Sequence, residues 1–580
     1  MANARRVPPL AWGTIPTAVP SIVRDLPVIL AAFALFYALL SLTHYWLTPV
    51  SVDTQIDLSP SALPRYAMYS VLRIAIAYVL SLGFTLVYGY VAAYNARAER
   101  FMIPLLDTLQ SIPVLSFLPG VMVAMVSLFP TRQIGVELGS ILLIFTGQVW
   151  NMTFSYYSSL KNIPREMREV AVVYRWSWWQ RFTQMELPYA TIGLVWNSMM
   201  SVAGGWFFLM ACEMFTLGSR DLRLPGLGSY LQTAANAGNL HAIYWGMGVM
   251  VGIIVLIDQL IWRPVIAWAE KFKFEQVEST DAPHSPVLDF LRSSRVLALA
   301  SRFTTRPARE YITLFFARRR SAETGMPEEN PPVSWTYRLF VVVASVGLLY
   351  SLYKIVVLLS HLTRADYTSI GWGAGATFLR VVFTLFLAGL WTIPAGVLIG
   401  LKPKLAAFMQ PVVQIAASVP ATALFPVIFL VLIRLGGGLG VGSIALLLLG
   451  TQWYLLFNVI AGAMSIPTDL KEVTSVFRFG RIERWKELFL PGIFPFLITG
   501  FITASGGAWN ASIVAEYFRF RGKTYVTTGL GAVISTATES GNFALLLAAT
   551  IVMAAMVVTI NRLVWRRLYA IASTRYKLEI

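Results

Sequence analysis

Long apolar segments recur along the whole chain, and they restrict its possible folds more than any other feature. A helix needs about 20 apolar residues to cross roughly 30 Å of hydrocarbon, and windows of that kind occur from near residue 26 to near residue 570. With 57% hydrophobic and only 13% charged residues, the chain is too apolar for a water-soluble globular protein. We therefore predict an all-α polytopic membrane protein.

We expect six membrane spans in each half of the chain. In the first half the predicted spans are 26–47, 69–93, 101–129, 137–158, 188–215 and 243–268, and in the second they are 336–359, 376–401, 408–433, 441–462, 491–515 and 543–570. The first segment follows Arg5 and Arg6 as a signal peptide would. It is nevertheless long enough to span, and no small-residue cleavage site follows it, so we expect it to be retained.

The basic residues indicate the orientation of these spans. The formal net charge is +17, which can suggest nucleic acid, but Lys and Arg also accumulate in the cytoplasmic loops of membrane proteins. Here they concentrate in alternate loops, chiefly 161–181, 271–320 and 471–486. We expect both termini and the central linker to be cytoplasmic, with the bilayer and not nucleic acid as the partner of the chain.

The residues that form disulfides and metal sites are scarce. Cys212 is the single cysteine, so no internal disulfide is possible. The four histidines, at positions 44, 241, 284 and 361, are too far apart in sequence to form a ligand motif. We therefore expect no metal site and no catalytic residues.

An internal duplication organises the chain. Glu169 and Pro188 recur as Glu472 and Pro491, each 303 positions later. The same offset joins Gly147, Trp150, Gly204, Trp206, Glu213, Gly226 and Gly228 to Gly450, Trp453, Gly507, Trp509, Glu516, Gly529 and Gly531. Upstream, at an offset of 307, Arg73, Ser111 and Pro113 match Arg380, Ser418 and Pro420.

The duplication predicts two permease-like halves, 1–270 and 336–580, joined by a cytoplasmic linker at 271–335. Because six helices is an even number, both halves have the same orientation and are related by a pseudo-twofold axis along the membrane normal. A transport pathway would lie between them. We expect the linker to be a flexible tether with amphipathic helices near 286–303 and 308–320 on the membrane surface; a regulatory role is the alternative.

A polar loop precedes the fifth span of each half, at 162–188 and 465–491. Pro164 and Pro467 suit the first turn of a short helix, and the amphipathic runs that follow place charged and aromatic side chains at the membrane surface. An ordinary basic loop would explain the charge but not its repetition at a fixed spacing. We interpret the loops as docking elements.

The motif Glu-x-Ala followed by Leu-Pro resembles the EAA loop of binding-protein-dependent ABC importer permeases. Arg73 and Arg380, Ser-Ile-Pro at 111–113 with Ser-Val-Pro at 418–420, and Gly-Leu-Gly at 226–228 and 529–531 resemble the nitrate/sulfonate/taurine branch. The resemblance covers nearly the whole chain outside the linker. It implies two fused type I ABC importer transmembrane domains in a prokaryotic inner membrane.

In that family the loop docks on an ATP-binding subunit. The resemblance therefore implies two copies of such a subunit, which would bind ATP and Mg²⁺, while this chain binds no cofactor. It also implies an extracytoplasmic substrate-binding protein. The coupling residues that it assigns are Pro164, Arg165, Glu166, Glu169, Ala171 and Arg175, and in the second copy Pro467, Asp469, Glu472, Thr474, Arg478 and Gly480.

The loops depart from the family pattern at one position. The family usually has glycine six residues after the glutamate, whereas this chain has Arg175 and Arg478. Gly480 is our candidate for a left-handed turn in the second copy, and the first copy has only Ser177 nearby. We therefore expect the bend in the loop to differ from that of the family.

Four pairs of residues are candidates for the substrate pathway. Arg73 and Arg380 would attract an anion, or snorkel to the membrane surface, or pair within their own half. Glu213 and Glu516 would gate the path or pair with those arginines. Trp206 and Trp509 would pack against neighbouring helices or line a gate. Pro113 and Pro420, with Pro119 and Pro426, would break the third helices and form cavity walls.

The leading hypothesis is an ABC importer permease with alternating access between its halves, for a small anion such as nitrate, a sulfonate, taurine or bicarbonate. The alternative is a secondary transporter of the major facilitator type, whose basic motif is missing between residues 95 and 100. A membrane-embedded enzyme is disfavoured because the chain has no cluster of nucleophiles or metal ligands.

Overall fold

A computed structural model describes residues 21–48, 55–217, 220–272, 285–300, 335–520 and 523–575, with a few isolated positions between 302 and 315. Within these ranges the chain is almost entirely helical, apart from two short antiparallel hairpins. The prediction of an all-α polytopic fold is confirmed.

The first half is built from eleven described helices and one hairpin. The helices are α1 (Ser21–Leu47), α2 (Leu63–Tyr94), α3 (Ala96–Ser111), α4 (Val114–Leu128), α5 (Ile134–Lys161), α6 (Arg165–Val173), α7 (Trp178–Arg181), α8 (Leu187–Glu213), α9 (Leu227–Ala237), α10 (Leu240–Ile257) and α11 (Arg263–Ala269), and the hairpin pairs β1 (Thr216–Leu217) with β2 (Arg220–Asp221). Two π turns, Phe182–Glu186 and Asp258–Trp262, join α7 to α8 and α10 to α11 without interrupting the helix.

The linker contributes two short helices, and the second half repeats the pattern of the first. The linker helices are α12 (Pro286–Ser293) and α13 (Arg295–Ala300). The second half contains α14 (Trp335–Leu359), α15 (Arg364–Gly400), α16 (Pro403–Ser418), α17 (Ala421–Arg434), α18 (Leu439–Met464), α19 (Thr468–Val476), α20 (Arg481–Arg484), α21 (Leu490–Ala515), β3 (Tyr517–Phe520), β4 (Lys523–Val526), α22 (Leu530–Ser540), α23 (Phe543–Ile560) and α24 (Arg566–Arg575). Its π turns are Trp485–Phe489 and Asn561–Trp565.

Eight of the predicted spans are continuous helices in the described part of the chain. They are Pro60–Tyr94, Ile134–Lys161, Trp178–Glu213, Leu240–Phe272, Arg364–Gly400, Leu439–Met464, Arg481–Ala515 and Phe543–Ala572. Two other predicted spans coincide with α1 and α14, which contain the apolar stretches Asp25–Ala34 and Ser345–Leu359. The count of six spans in each half remains a prediction.

The third predicted span of each half is broken into two helices. α3 meets α4 at 98°, and the end of α16 meets α17 at 86°. Both breaks come directly before Pro113 and Pro420, because a residue that precedes proline is driven out of the helical region. The expectation that Pro119 and Pro426 also break the helices is wrong, since both lie inside continuing helices.

The two halves contact each other in reciprocal pairs of helices. α8 of the first half packs on α17, and its counterpart α21 packs on α4. Likewise α10 packs on α16, and α23 packs on α3. Hydrogen bonds accompany these contacts, from Gln414 Nε2 to Asp258 Oδ1 at 3.0 Å and from Asn561 Nδ2 to Ser111 Oγ at 3.0 Å.

The bundle has two chemically different ends. We call the end that carries α6 and α19 the loop end, and the end that carries the β1–β2 and β3–β4 hairpins the hairpin end. Within each half the central packing is among three long helices, α2, α5 and α8 in the first half and α15, α18 and α21 in the second. Of the two predicted linker helices, the first corresponds to α12 and α13, and most of the second lies outside the described residues.

Candidate functional site

Each predicted docking loop folds into a short helix at the loop end. α6 and α19 begin one residue after Pro164 and Pro467. Ala171 and Thr474 occupy the buried side of these helices, at 2% and 7% exposed. Ala171 packs in a cluster with Leu160, Ile163 and Met185, so the small residue of the motif attaches the helix to the bundle.

The opposite side of each helix is exposed and carries the same residue types in both copies. Glu169 and Glu472 are exposed. Val173 and Val476 are 76% and 77% exposed, and Tyr174 and Phe477 are 68% and 70% exposed. An exposed apolar patch beside a charged residue is typical of an interaction surface, and the chain presents two matching ones. We call these surfaces the docking faces.

Arginine occupies a left-handed backbone position at the end of both helices. Arg175 has φ +49° and Arg478 has φ +54°. Around the first, Trp176 N–H donates to Ala171 O at 2.9 Å and Arg175 N–H donates to Val172 O at 2.9 Å, while around the second Phe479 N–H donates to Thr474 O at 3.0 Å. The first pattern is a Schellman motif, in which glycine is the usual left-handed residue.

The expected difference between this bend and that of the family loop stays a prediction. Arg175 and Arg478 themselves adopt the conformation that glycine favours. The expectation that Gly480 supplies a left-handed turn is wrong: it has φ −65° and ψ 169° and is the residue that precedes α20. The backbone hydrogen bonds at the end of each helix fix the position of the left-handed residue. For arginine this conformation costs about 1–2 kcal/mol.

A buried cluster of charges lies near the hairpin end of the first half. Arg73 donates to Glu137 at 2.6 and 2.8 Å, to Glu213 Oε1 at 2.7 Å and to Pro225 O at 2.9 Å. Ser70 Oγ also donates to Glu213, at 2.7 Å. All of these side chains are inaccessible to solvent, so the network fastens α2, α5 and α8 together.

The second half has a smaller version of this cluster. Arg380 pairs with Glu516, and it donates to Thr528 O at 3.1 Å. Thr377 takes the place of Ser70 and donates to Glu516 at 2.7 Å. The second cluster has no second carboxylate, because Gly440 occupies the position equivalent to Glu137. The Arg380 side chain is 11% exposed, whereas that of Arg73 is fully buried.

The Gly-Leu-Gly sequences are explained by these glutamates. Gly228 N–H donates to Glu213 at 2.7 Å, and Gly531 N–H donates to Glu516 at 2.8 Å, at the first turns of α9 and α22. A carboxylate at a helix N-terminus is favoured by the helix dipole. A Cβ on Gly226 or Gly529 would overlap the carboxylate, so only glycine permits this approach.

Two cavities lie between the halves. The loop-end cavity has a volume of about 660 Å³ and is lined by α3, α5, α8, α18 and α21 with the ends of neighbouring helices. The hairpin-end cavity has a volume of about 430 Å³ and is lined by α4, α8, α9, α17, α22 and the hairpins. Each lining contains two arginines and one acidic residue: Arg562, Arg566 and Asp107 at the loop end, and Arg223, Arg519 and Glu539 at the hairpin end.

The hairpin-end charges are held in a local network. Arg519 pairs with Glu539 at 2.8 Å, and the Tyr517 hydroxyl donates to the same carboxylate. Burial, with a further contribution from Glu539, raises the pKa of Tyr517 to about 12. The hydroxyl therefore stays protonated near neutral pH and can act as a donor.

A thin partition separates the two cavities. Val114 and Ala421 line the loop-end cavity, whereas the next residues, Leu115 and Thr422, line the hairpin-end cavity. These positions are in the first turns of α4 and α17, immediately after the two helix breaks. Leu115 N–H also donates across the interface to Asn510 Oδ1 at 3.3 Å. The partition is therefore built by both halves.

The predicted pathway residues occupy different places in this arrangement. Of these residues, with Pro119 and Pro426 included, only Pro119 and Pro420 line a described cavity. Trp206 and Trp509, at 2% and 1% exposed, are packed in the core. Arg73, Arg380, Glu213 and Glu516 form the two buried clusters, and Pro113 precedes the partition.

Sequence reasoning missed three features of the site. Glu137 is an acid inside an apolar segment, but it has no acidic counterpart in the second half and so the repeat did not reveal it. Ser70 and Thr377 are a matched polar pair at the offset of 307, and this signal was available. The cavity linings come from many separate helices, and no single motif marks them.

Comparison with known proteins identifies the family. The sequence model of the binding-protein-dependent transport system inner membrane component matches residues 85–261 and 392–577, one match in each half and together more than half of the chain. The chain belongs to this family. It is accordingly a membrane-spanning ABC permease component with an internal duplication.

Curated relatives of this permease are permease proteins of transport systems. It is similar to the nitrate import permease protein NrtB of Leptolyngbya laminosa, 28% identical over 25% of this chain and 50% of that protein. It is 23% identical to the putative aliphatic sulfonates transport permease protein SsuC of Bacillus subtilis, over 35% of this chain and 70% of the relative. The taurine transport system permease protein TauC of Escherichia coli is 27% identical over 28% and 56%. The permease thus spans about half the length of most of these relatives.

The left-handed arginine generates a first prediction. Arg175→Gly should leave the loop intact, because glycine adopts this conformation without strain, whereas Arg175→Val should disrupt it, because a β-branched residue rarely has positive φ. Amide hydrogen exchange at Trp176, whose N–H donates to Ala171 O, measures the difference. We expect faster exchange in the valine variant only. Equal exchange in both variants would show that the turn does not hold the loop.

The unequal charge clusters generate a second prediction. Arg73→Met leaves two buried carboxylates without their cation and should destabilise the permease by about 3–5 kcal/mol. Arg380→Met leaves one carboxylate, that of Glu516, without its cation. Because the Arg380 side chain is partly exposed, the loss of stability should be smaller. Thermal unfolding in detergent measures both, with the exposed Arg434→Met as the control. A larger loss for Arg380→Met would contradict our account of the clusters.

Proposed function

We propose that this permease is the transmembrane part of an ATP-driven importer for a small anion, with alternating access at the interface of its two halves. The observation that carries the proposal is the pair of matching docking faces at the loop end, together with a cavity that both halves line. The family match favours this proposal over a major facilitator transporter, in which the two docking faces would have no role.

The docking faces indicate the partner. Glu, Val, Val, an aromatic residue and Arg occur in that order at equivalent positions of both faces, from 169 to 175 and from 472 to 478. Two surfaces of the same chemistry fit two copies of one ATP-binding subunit. That subunit would bind and hydrolyse ATP with Mg²⁺, and the permease would bind no cofactor and perform no covalent chemistry.

Each docking face has a mechanical connection to the partition. α7 continues through the π turn into α8, so that one helix runs from Trp178 to Glu213, and α20 continues in the same way into α21. Both helices end at the glutamates of the buried clusters, beside the hairpin-end cavity. Closure of the ATPases would move α6 and α19 together, and these helices would transmit the movement to the partition and open it outwards.

An anionic substrate is supported by the charges that line the pathway. Both cavities contain two arginines against one acidic residue, which favours an anion over a cation. Relatives are named for nitrate, aliphatic sulfonates, taurine and bicarbonate. Arg73 and Arg380 would act indirectly, because their guanidinium groups are engaged with carboxylates and would hold the helices that line the path.

The orientation follows from the charge distribution of the loops. The loop end carries the basic segments 161–181 and 471–486, so it would face the cytoplasm of a prokaryote, with both termini on that side. The hairpin end would face outwards. There a substrate-binding protein would deliver the anion to the hairpin-end cavity.

Charge reversal of both docking faces tests the ATPase partnership. In Glu169→Lys with Glu472→Lys, the co-purified ATPase should fall at least about tenfold, because reversing a charge at an interface costs about 2 kcal/mol or more. Affinity purification of the tagged permease, expressed together with its ATPase, measures the loss. Asp57→Lys, a charge reversal of an exposed acid at the hairpin end, is the control and should retain the ATPase. Retention by the double variant would refute the docking faces.

The similarity of the two faces predicts the stoichiometry. Native mass spectrometry of the complete complex should detect one permease chain with two identical ATPase subunits. A complex with two different ATPases would contradict the inference from matching faces, although it would leave the docking itself intact.

A further inference from the structure

The loop-end cavity is unusually rich in aromatic side chains. Its lining includes nine aromatic residues, among them Trp150, Phe207, Phe208, Trp453, Tyr454 and Trp565. From this lining we propose that the transported substrate is an organic anion with a flat unsaturated body, such as an aryl or heteroaryl sulfonate or carboxylate, and not a bare inorganic anion. This inference rests on the proposed function and narrows its substrate.

The size of the cavity agrees with an organic ligand. Sites of about 300–1,000 Å³ hold drug-sized molecules, and this cavity has a volume of about 660 Å³. Nitrate and bicarbonate have only a few heavy atoms each and would leave most of it to water. They also offer no apolar surface to the aromatic rings, whereas a flat organic body gains from contact with every ring that it covers.

Two of the rings are held in place by aromatic neighbours outside the cavity. Trp453 packs edge to face against Trp391, with ring centroids 6.5 Å apart. Trp565 stacks on Phe501, with centroids 6.0 Å apart. Rings that are fixed before a ligand arrives lose little conformational entropy on binding, so the lining is suited to recognise a rigid flat body.

The two walls of the cavity are chemically different, although they derive from a duplication. Phe207 and Phe208 in the first half correspond to Asn510 and Ala511 in the second, and Asn151 corresponds to Tyr454. Tyr454 reaches the first half, since its hydroxyl would be 3.7 Å from a Cβ on Gly204. A ligand would therefore meet aromatic rings from both halves, but Phe207 and Phe208 come from the first half only, whereas Asn510 and the Tyr454 hydroxyl come from the second.

Arg562 and Arg566 supply the positive charge of this cavity, and Asp107 is its single acidic residue. Gln259 stands where the first half would have its copy of Arg562. The guanidinium group of Arg562 is therefore contributed by the second half only. It would bind the sulfonate or carboxylate group while the flat body contacts the rings.

Binding to the purified permease in lipid nanodiscs tests the inference without an ATPase or a binding protein. Equilibrium dialysis with naphthalene-2-sulfonate, corrected with empty nanodiscs, should show saturable binding that nitrate at tenfold excess does not displace. Arg562→Gln and Phe207→Asn each introduce the residue found at the equivalent position of the other half. Each should weaken binding by about tenfold. Arg567→Gln and Phe101→Asn, at exposed positions outside the cavity, should not.

Absence of saturable binding, equal competition by nitrate or bicarbonate, or unchanged binding in both cavity variants would overturn the inference. None of these results bears on whether the docking faces hold an ATPase. Conversely, retention of the ATPase by the double lysine variant would refute the proposed coupling and leave the probe measurement valid.

Discussion

The buried pairing of arginine and glutamate is the interaction on which the remaining architecture depends. Glu213 and Glu516 each bind an arginine from the second helix of their half and a backbone N–H from the first turn of α9 or α22. A carboxylate at this depth is costly unless it is paired and hydrogen-bonded. The pairing therefore fixes where α2, α8 and α9 meet in the first half and where α15, α21 and α22 meet in the second. The close approach of these helices requires the glycines on either side of Leu227 and Leu530.

The same glutamates lie at the ends of the long helices that follow the docking faces. Each of these helices begins after a docking face and ends at a charge cluster. A π turn joins its two parts. Helices α9 and α22, held by the clusters, line the hairpin-end cavity. In the proposed mechanism, a movement at either docking face would pass through the turn that follows it and along the long helix to the residues that line the hairpin-end cavity.

The sequence predicts the spans, the duplication and the docking loops because each depends on a local or periodic signal. Apolar length determines the spans, and repetition at a constant offset identifies the loops. Proline was a weaker guide. Of the four prolines in the third predicted spans, Pro113 and Pro420 follow a residue with extended backbone at the helix break, whereas Pro119 and Pro426 lie inside continuing helices. Glycine was also misleading, since hydrogen bonds place the left-handed turn at Arg175 and Arg478 and not at Gly480. Glu137 and the cavity linings require knowledge of helix packing, which no single segment contains.

The unlike walls of the central cavity have a consequence for assembly. If the halves were separate polypeptides, their similar contact surfaces would also allow each half to pair with a copy of itself. Such pairs would have either two tyrosines at the position of Tyr454 or two asparagines at that of Asn151, and neither would combine Phe207 with Tyr454 in one cavity. Covalent linkage raises the effective concentration of the correct partner. Joining the halves in one chain therefore guarantees that every assembled molecule has one wall of each kind.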